Sequence, residues 1–398
     1  MSSSFDAEIL SGELPSKNTK LEIAMKQLEI DRKKKFRVYH VGSRSFIETN
    51  EFVNVFEMIE NNLRSYYYAL FRDGATIYPR PLWFIDIVVP PVRVGMNPKK
   101  LNIKTSSRAR DLAKKEYEDV DIGGQVDSQF VFHTVTGSEL VPFGHLEFPL
   151  CILPIEESSG TYRMIRSDEA MTRGNRGLRD WLVTVERIWN TKRGEKAQKS
   201  DVYDWLNYSG KLTNQSPRAK FKVLYNASGT YLVACVAKNE PGEVTIDGVK
   251  IRTSGLIADH TAYYWDTDNE DEAHYVSAFL NAPIVDQLIK PLQSVGDFGE
   301  RHIHKKVLEL PIPRFEPDNR IHRELSDLAK NCQSKSSALV TNLAARYGSL
   351  GKIRHETKQA LKDDLTKINA LALYAVNASR PQTLDNLLAK DPLDEDRQ

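Results

Sequence analysis

Apolar residues return every three to four positions from Val53 to Phe71 (Phe56, Ile59, Leu63, Tyr66, Tyr67, Leu70). That spacing predicts an amphipathic helix, with Gly74 as a left-handed stop. The pattern changes at Leu82 to Val89, a short run rich in β-branched residues that ends at Pro90-Pro91. It reads as a buried strand. Further strands are expected at 101–106, 129–135 and 149–155. Ser167 to Lys199 returns to helical spacing, with Trp181, Val185, Ile188 and Trp189 on one stripe. A meander follows: Lys220 to Tyr225, Tyr231 to Ala237, a hairpin over Val244 to Arg252 turned on Asp247-Gly248, and Leu256 to Trp265. Asp271 to Leu280 reads as a helix with acids at its N-terminus, and Asn319 to Tyr347 and Lys352 to Asn377 as two long helices. The stripe Tyr275, Phe279, Ile284, Val285 and Leu288 reads as core.

These elements predict an α+β fold: a mixed, β-rich domain with helical insertions and a helical C-terminal region. The divisions expected are a flexible segment over 1–35, a first α+β subdomain over 36–165 and a β/α subdomain over 166–316. A helical region over 317–380 and an acidic tail over 381–398 follow. No apolar run reaches the ~20 residues that span a bilayer, and the N-terminus has no signal core, so the cytoplasm is the expected location. Cys151, Cys235 and Cys332 lie far apart in apolar or helical contexts, which suits buried thiols rather than a disulfide framework or zinc site.

A net charge of +1 conceals local basic stretches. Seven basic residues stand against two acids from Lys26 to Arg44, and seven against Asp111 alone from Lys99 to Lys115. Such stretches on a near-neutral chain suit a polyanion-facing surface, with solvated lysine faces as the competing reading.

Catalytic signatures are missing. Asp297-Phe298-Gly299 has the letters of a kinase magnesium motif without the rest of a kinase. There is no GxGxxG, no phosphate loop and no Gly-x-Ser-x-Gly elbow. His302 and His304 alternate, so on a strand both rings face one way, but Arg301, Lys305 and Lys306 beside them disfavour a divalent metal. Phosphate is the better partner. An amino-methylating enzyme needs an Asn/Asp/Ser-Pro-Pro-aromatic element to hold the base amine. The Pro-Pro of this chain stands between Val89 and Val92 and cannot do that.

Several segments in order resemble the C-terminal target-recognition region of adenine-specific DNA methyltransferases, the Type IIG-like and Type I-like restriction–modification or phage-defence enzymes. They are Tyr68 to Arg80 (YALFRDGATIYPR), Pro142-Phe143-Gly144, Lys211 to Gln215 and Lys222 to Thr230. Glu272 to Tyr275 then runs into Leu280-Asn281-Ala282-Pro283, followed by Arg301 to Pro313 and Asp318 to His322. The resemblance spans roughly residues 60 to 350. It implies sequence-specific reading of double-stranded DNA beside a methyltransferase catalytic subunit or domain. S-adenosylmethionine would be bound by that partner, with no cofactor in this chain. The expected form is a separate specificity subunit or a C-terminal fragment, with the C-terminal helices packing on the partner. Two alternatives stay open: a cryptic methyltransferase or defence nuclease with unrecognised catalytic residues, and an interaction or remnant protein that does not bind DNA.

Under that resemblance the candidate DNA contacts are cationic or amide-bearing loop residues. The turn Gly74 to Arg80 offers Arg80, and the loop Arg173 to Gly177 offers Arg173, Asn175 and Arg176. Lys211 to Lys222 offers Lys211, Asn214, Gln215, Arg218, Lys220 and Lys222. Gly296 to Lys306, which leads into Leu310 to Pro313 as a short proline-locked strand, offers Arg301, His302, His304, Lys305 and Lys306. For each, a packed or solvated loop is the competing reading.

Overall fold

The apolar run after Leu82 is the middle of the architecture. In a computed structural model that describes residues 3–16, 18–41, 44–49, 64–88, 99–246, 249–289, 295–296, 299–300 and 302–378, Phe84–Val88 is an interior strand of a six-stranded sheet. Its neighbours in order are Leu256–Ala258, Val131–Val135, Leu150–Ile152, then Phe84–Val88, Lys100–Thr105 and Gly123–Asp127. Only the first pair is parallel. The expected strands at 101–106, 129–135 and 149–155 are therefore present. The fold is α+β.

The chain divides into two units, Met1–Tyr68 with Leu308–Arg314 and Ala370–Gln398, and Ala69–Val307 with Phe315–Asn369. In the first, Ser3–Ser11, Glu29–Val41 and Arg44–Thr49 form an antiparallel sheet. Composition had suggested a loose segment here. The alternation Phe5, Ala7, Ile9 instead sets a strand, and Phe5 stacks on its register partner Phe36 at 5.6 Å.

In the second unit the six-stranded sheet carries a core running from Ala75 to Ile257. The helix Arg176–Lys192 buries Leu178, Trp181, Leu182, Val185 and Trp189, and the Trp181 indole donates to the Leu82 carbonyl at 3.1 Å. The helix predicted over 167–199 is interrupted at Gly174, where φ is +80°. A second, four-stranded sheet runs in the order Ala234–Lys238, Phe221–Asn226, Ala262–Thr267, Arg72–Asp73. The strand predicted over Leu256 to Trp265 is thus shared between two sheets. Asp259 makes the break, its carboxylate accepting from the Thr261 amide at 3.1 Å and hydroxyl at 2.7 Å. The helix Glu270–Asn281 packs on the four-stranded sheet, and Arg320–Arg346 packs on that helix. Asn319 caps the long helix, accepting from the Ile321 amide at 2.9 Å.

Several expectations change. Gly74 is not a helix stop: it follows the edge strand, and a Cβ there would lie 2.3 Å from the Asp259 carbonyl. Most of the helix predicted over Val53 to Phe71 lies outside the described residues, and Tyr66–Ala69 is a 3-10 turn. Pro90-Pro91, Asp247-Gly248, Asp297-Phe298, Arg301 and the acidic tail also lie outside them. Leu310 to Pro313 is not a strand; the Ile312 amide turns back to the Leu310 carbonyl at 2.8 Å. The helix predicted over 352–377 is two helices, Leu350–Ala360 and Lys362–Ala378. All three cysteines are buried, and burial pushes Cys235 and Cys332 up to about 12, as expected of inert structural thiols.

Candidate nucleic-acid interface

Alternation along the four-stranded sheet sorts its side chains onto two faces. Lys222, Leu224 and Asn226 oppose Asp266, Tyr264 and Ala262 on one face, while Val223 and Tyr225 oppose Trp265 and Tyr263 on the other. On that second face the Tyr225 and Tyr263 rings stack at 5.1 Å and 5°, and Phe71 lies 5.3 Å from Tyr225.

The segment from His302 crosses this face. His302 bridges Ser228, and the amides of Ile303 and His304 both donate to the Ala227 carbonyl at 3.1 and 3.0 Å. The Tyr225 hydroxyl donates to the His304 carbonyl at 2.8 Å. Ile303 is fully buried, so its neighbours point outward: the His302 and His304 rings stack at 5.2 Å and 6°. The His304 ring also meets Tyr263 edge-on at 6.3 Å. His304 holds φ at +42°, a left-handed position that turns the chain into Lys305 and Lys306.

Cations gather around the edge strand Arg72–Asp73 beside these rings. Lys211 pairs with Asp73 and lies over the Tyr208 ring at 5.5 Å, and Arg72 donates to the Asn214 carbonyl at 3.4 Å. Burial pushes the Lys305 ammonium down, Asp73 pulls it back up and Arg72 adds to the depression. His304 is lowered by burial first, then by His302, with Asp73 opposing and Lys306 adding. It is therefore a neutral ring at neutral pH, able to donate or accept. The result is a rim of stacked rings flanked by lysines and an arginine around one carboxylate, chemistry suited to phosphate and bases.

The rim brings together Lys211, Asn214, His302, His304, Lys305 and Lys306 from among the predicted contacts. Asn214 keeps an exposed side chain. The others divide. Gln215 is fully buried, its amide donating to the Ala258 carbonyl at 2.9 Å and accepting from the Ala258 amide at 2.8 Å. Lys222 is also fully buried, 2.6 Å from Asp266 Oδ1 and 4.8 Å from the Tyr264 ring centre. Both are core residues, closed to DNA. Arg80 faces the buried Asp259 at 3.6 Å, and Arg173 is held by Glu156 at 2.6 Å and Glu169 at 2.8 Å. Arg218 is exposed but paired with Glu157 at 2.7 Å. Lys220 is exposed just before the strand Phe221–Asn226, at the end away from Tyr225. Arg176 is exposed at the first turn of its helix, beside the half-buried Asn175.

Arg72 and Tyr263 belong to the rim without having been singled out in the sequence. The helical periodicity that runs through Phe71 hides Arg72. The alternation of Ala262 to Thr267 contains the signal for Tyr263, which shares a face with Tyr225. Among the described residues, no three His, Cys, Asp or Glu side chains gather as a metal site, and no helix is long and apolar enough to cross a membrane.

No protein-family model and no curated protein sequence matches the chain. Several solved structures are similar to it, among them two of restriction enzymes. One is the Type IIL restriction-modification enzyme MmeI in complex with DNA, at a TM-score of 0.44 and 10% identity over 88% of this chain. The other is the type IIG restriction endonuclease BpuSI, at a TM-score of 0.30 and 12% identity over 82% of this chain. The chain spans 39% of the first and 36% of the second.

Proposed function

We propose that this chain is a DNA-reading module that works with an adenine-specific methyltransferase catalytic subunit or domain, the partner binding S-adenosylmethionine and extruding the adenine. The observation that carries this reading is the convergence of Lys211, Arg72, Lys305 and Lys306 with the stacked His302 and His304 rings on one sheet edge. The residues that meet there come from three segments distant in sequence, all three among those that resemble target-recognition regions. Lysines and arginine hold the phosphate backbone and fix register, while the exposed Asn214 amide and the neutral His304 ring face base edges.

Binding-site selection from a randomised duplex pool, with the chain alone and with a candidate catalytic partner, tests the reading. An enriched sequence is expected. Asn214→Ala is then expected to lose about 1–3 kcal/mol of discrimination for that sequence while binding random duplex as before. A pool that stays random under both conditions contradicts sequence reading.

A further inference from the structure

Away from the residues of the rim, a cleft of about 460 Å³ opens between the end of the helix Arg176–Lys192 and the segment around Tyr117. That volume falls within the roughly 300–1,000 Å³ of small-ligand sites. Its walls are aromatic: Tyr78, Tyr117, Trp189 and Trp205 line it, the two indoles 5.5 Å apart and tilted by 48°. Trp189 spends its N–H on the Ser200 carbonyl at 3.3 Å, whereas the buried Trp205 N–H has no acceptor among the described residues. That N–H has no accessible surface towards the cleft, so what Trp205 offers there is its ring.

Charge at the cleft is mixed but unevenly used. Lys192 is tied to Asp119 at 2.5 Å and to the Glu116 carbonyl at 2.8 Å, and Arg193 to the Ser200 carbonyl at 2.9 Å. Lys114 and Lys196 line the cleft with no carboxylate partner among the described residues, and Lys114 lies over the Tyr78 ring at 5.7 Å. Glu116 and Glu195 also line it and set a limit on how much negative charge it holds. Tyr117, pushed up to about 12 by burial and then by Tyr78 and Glu116, stays a hydroxyl donor. A second hollow of about 210 Å³ shares Tyr78, Pro79, Lys114 and Tyr117 and adds Arg80 and His260. Lys114 and the Tyr78 and Tyr117 rings thus line both hollows.

We propose that this cleft binds a single unstacked nucleotide, the base against the tyrosine and tryptophan rings and the phosphate towards Lys114 and Lys196. Aromatic walls take a base by its π-face whatever its sequence, and lysines suit one phosphate better than an extended backbone. Two sources share that chemistry: a free mononucleotide, and a base turned out of bound DNA.

Tryptophan emission of the full chain, titrated with AMP, with a fully paired duplex and with the same duplex carrying a one-base bulge, tests the site. Saturable quenching by AMP, or by the bulged duplex beyond the paired one, is expected, and which of them quenches identifies the source. Lys114→Glu with Lys196→Glu, both surface changes, is expected to weaken that binding at least tenfold. Trp205→Phe, which keeps a ring and removes the N–H, is expected to weaken it less. Quenching by neither probe, or an unchanged affinity in the lysine variant, overturns the proposal. The AMP titration needs no duplex, so its failure leaves the DNA reading intact. Lys305→Glu with Lys306→Glu alters the rim and no residue of the cleft, and is expected to leave AMP binding as it was.

Discussion

Lys222 shows what a single position in the sequence conceals. It sits in a basic, polar stretch beside Lys220, and its chemistry alone suits phosphate. In the fold it stands two residues beyond the exposed Lys220, inside the strand Phe221–Asn226 and on the face it shares with Leu224 and Asn226. There its ammonium meets Asp266 at 2.6 Å with no exposed surface. Removing one partner of a buried pair leaves the other charge uncompensated, at a cost on the order of 3 kcal/mol. Lys222→Met is therefore expected to lower the denaturant midpoint, with no change in the salt dependence of DNA binding. Adding Asp266→Asn keeps an acceptor for the Ser216 amide, now bonded at 2.8 Å, and is expected to recover much of the loss. A double variant as unstable as the single one contradicts the pairing. Gln215 was illegible for a related reason. An amide that closes a carbonyl and an amide of Ala258 has the same letters as one that reads adenine. Burial distinguishes them, and burial is set by residues distant in the chain.

At the scale of elements, strongly periodic segments were legible and punctuated ones were not. The stripe Trp181, Val185, Trp189 and the stripe Tyr275, Phe279 both face cores, as their spacing requires. Leu256 to Trp265, by contrast, keeps one composition throughout while a turn at Asp259 passes it from one sheet to another. Leu310 to Pro313 looks strand-like, but its prolines offer no amides to a ladder. Within Glu270–Asn281, His274 is buried with its Nδ1 unpartnered among the described residues, and burial, reinforced by Lys330, pushes it down from 6.5 to about 4. The unfolded chain takes up a proton near the ordinary value while the folded chain refuses it until about 4, so stability is full above 6.5 and falls as the pH drops. Between pH 7 and pH 5 this residue costs about 2 kcal/mol. His274→Leu is expected to flatten that part of the stability profile, measured by urea denaturation at the two pH values. An equally steep variant profile contradicts the assignment.

At the scale of the whole molecule, the fold class could be read from the order of periods, and the missing catalytic motifs from the sequence directly. The rim could be read only in part. His302, His304, Lys305 and Lys306 stand together in sequence, but Arg72 and Tyr263 join them only because the four-stranded sheet draws on separated stretches, and Lys211 joins through its pairing with Asp73. The central claim is that this rim holds the phosphate backbone. The most direct measurement is the affinity of the chain for a random duplex across a range of salt, compared with that of Lys305→Glu, Lys306→Glu. Each phosphate neutralised contributes about −0.9 to the slope of log K against log salt. The variant is expected to bind more weakly at low salt with a slope shallower by about 2. Equal slopes and affinities for the two proteins, or binding by the native chain that does not change with salt, would contradict the account.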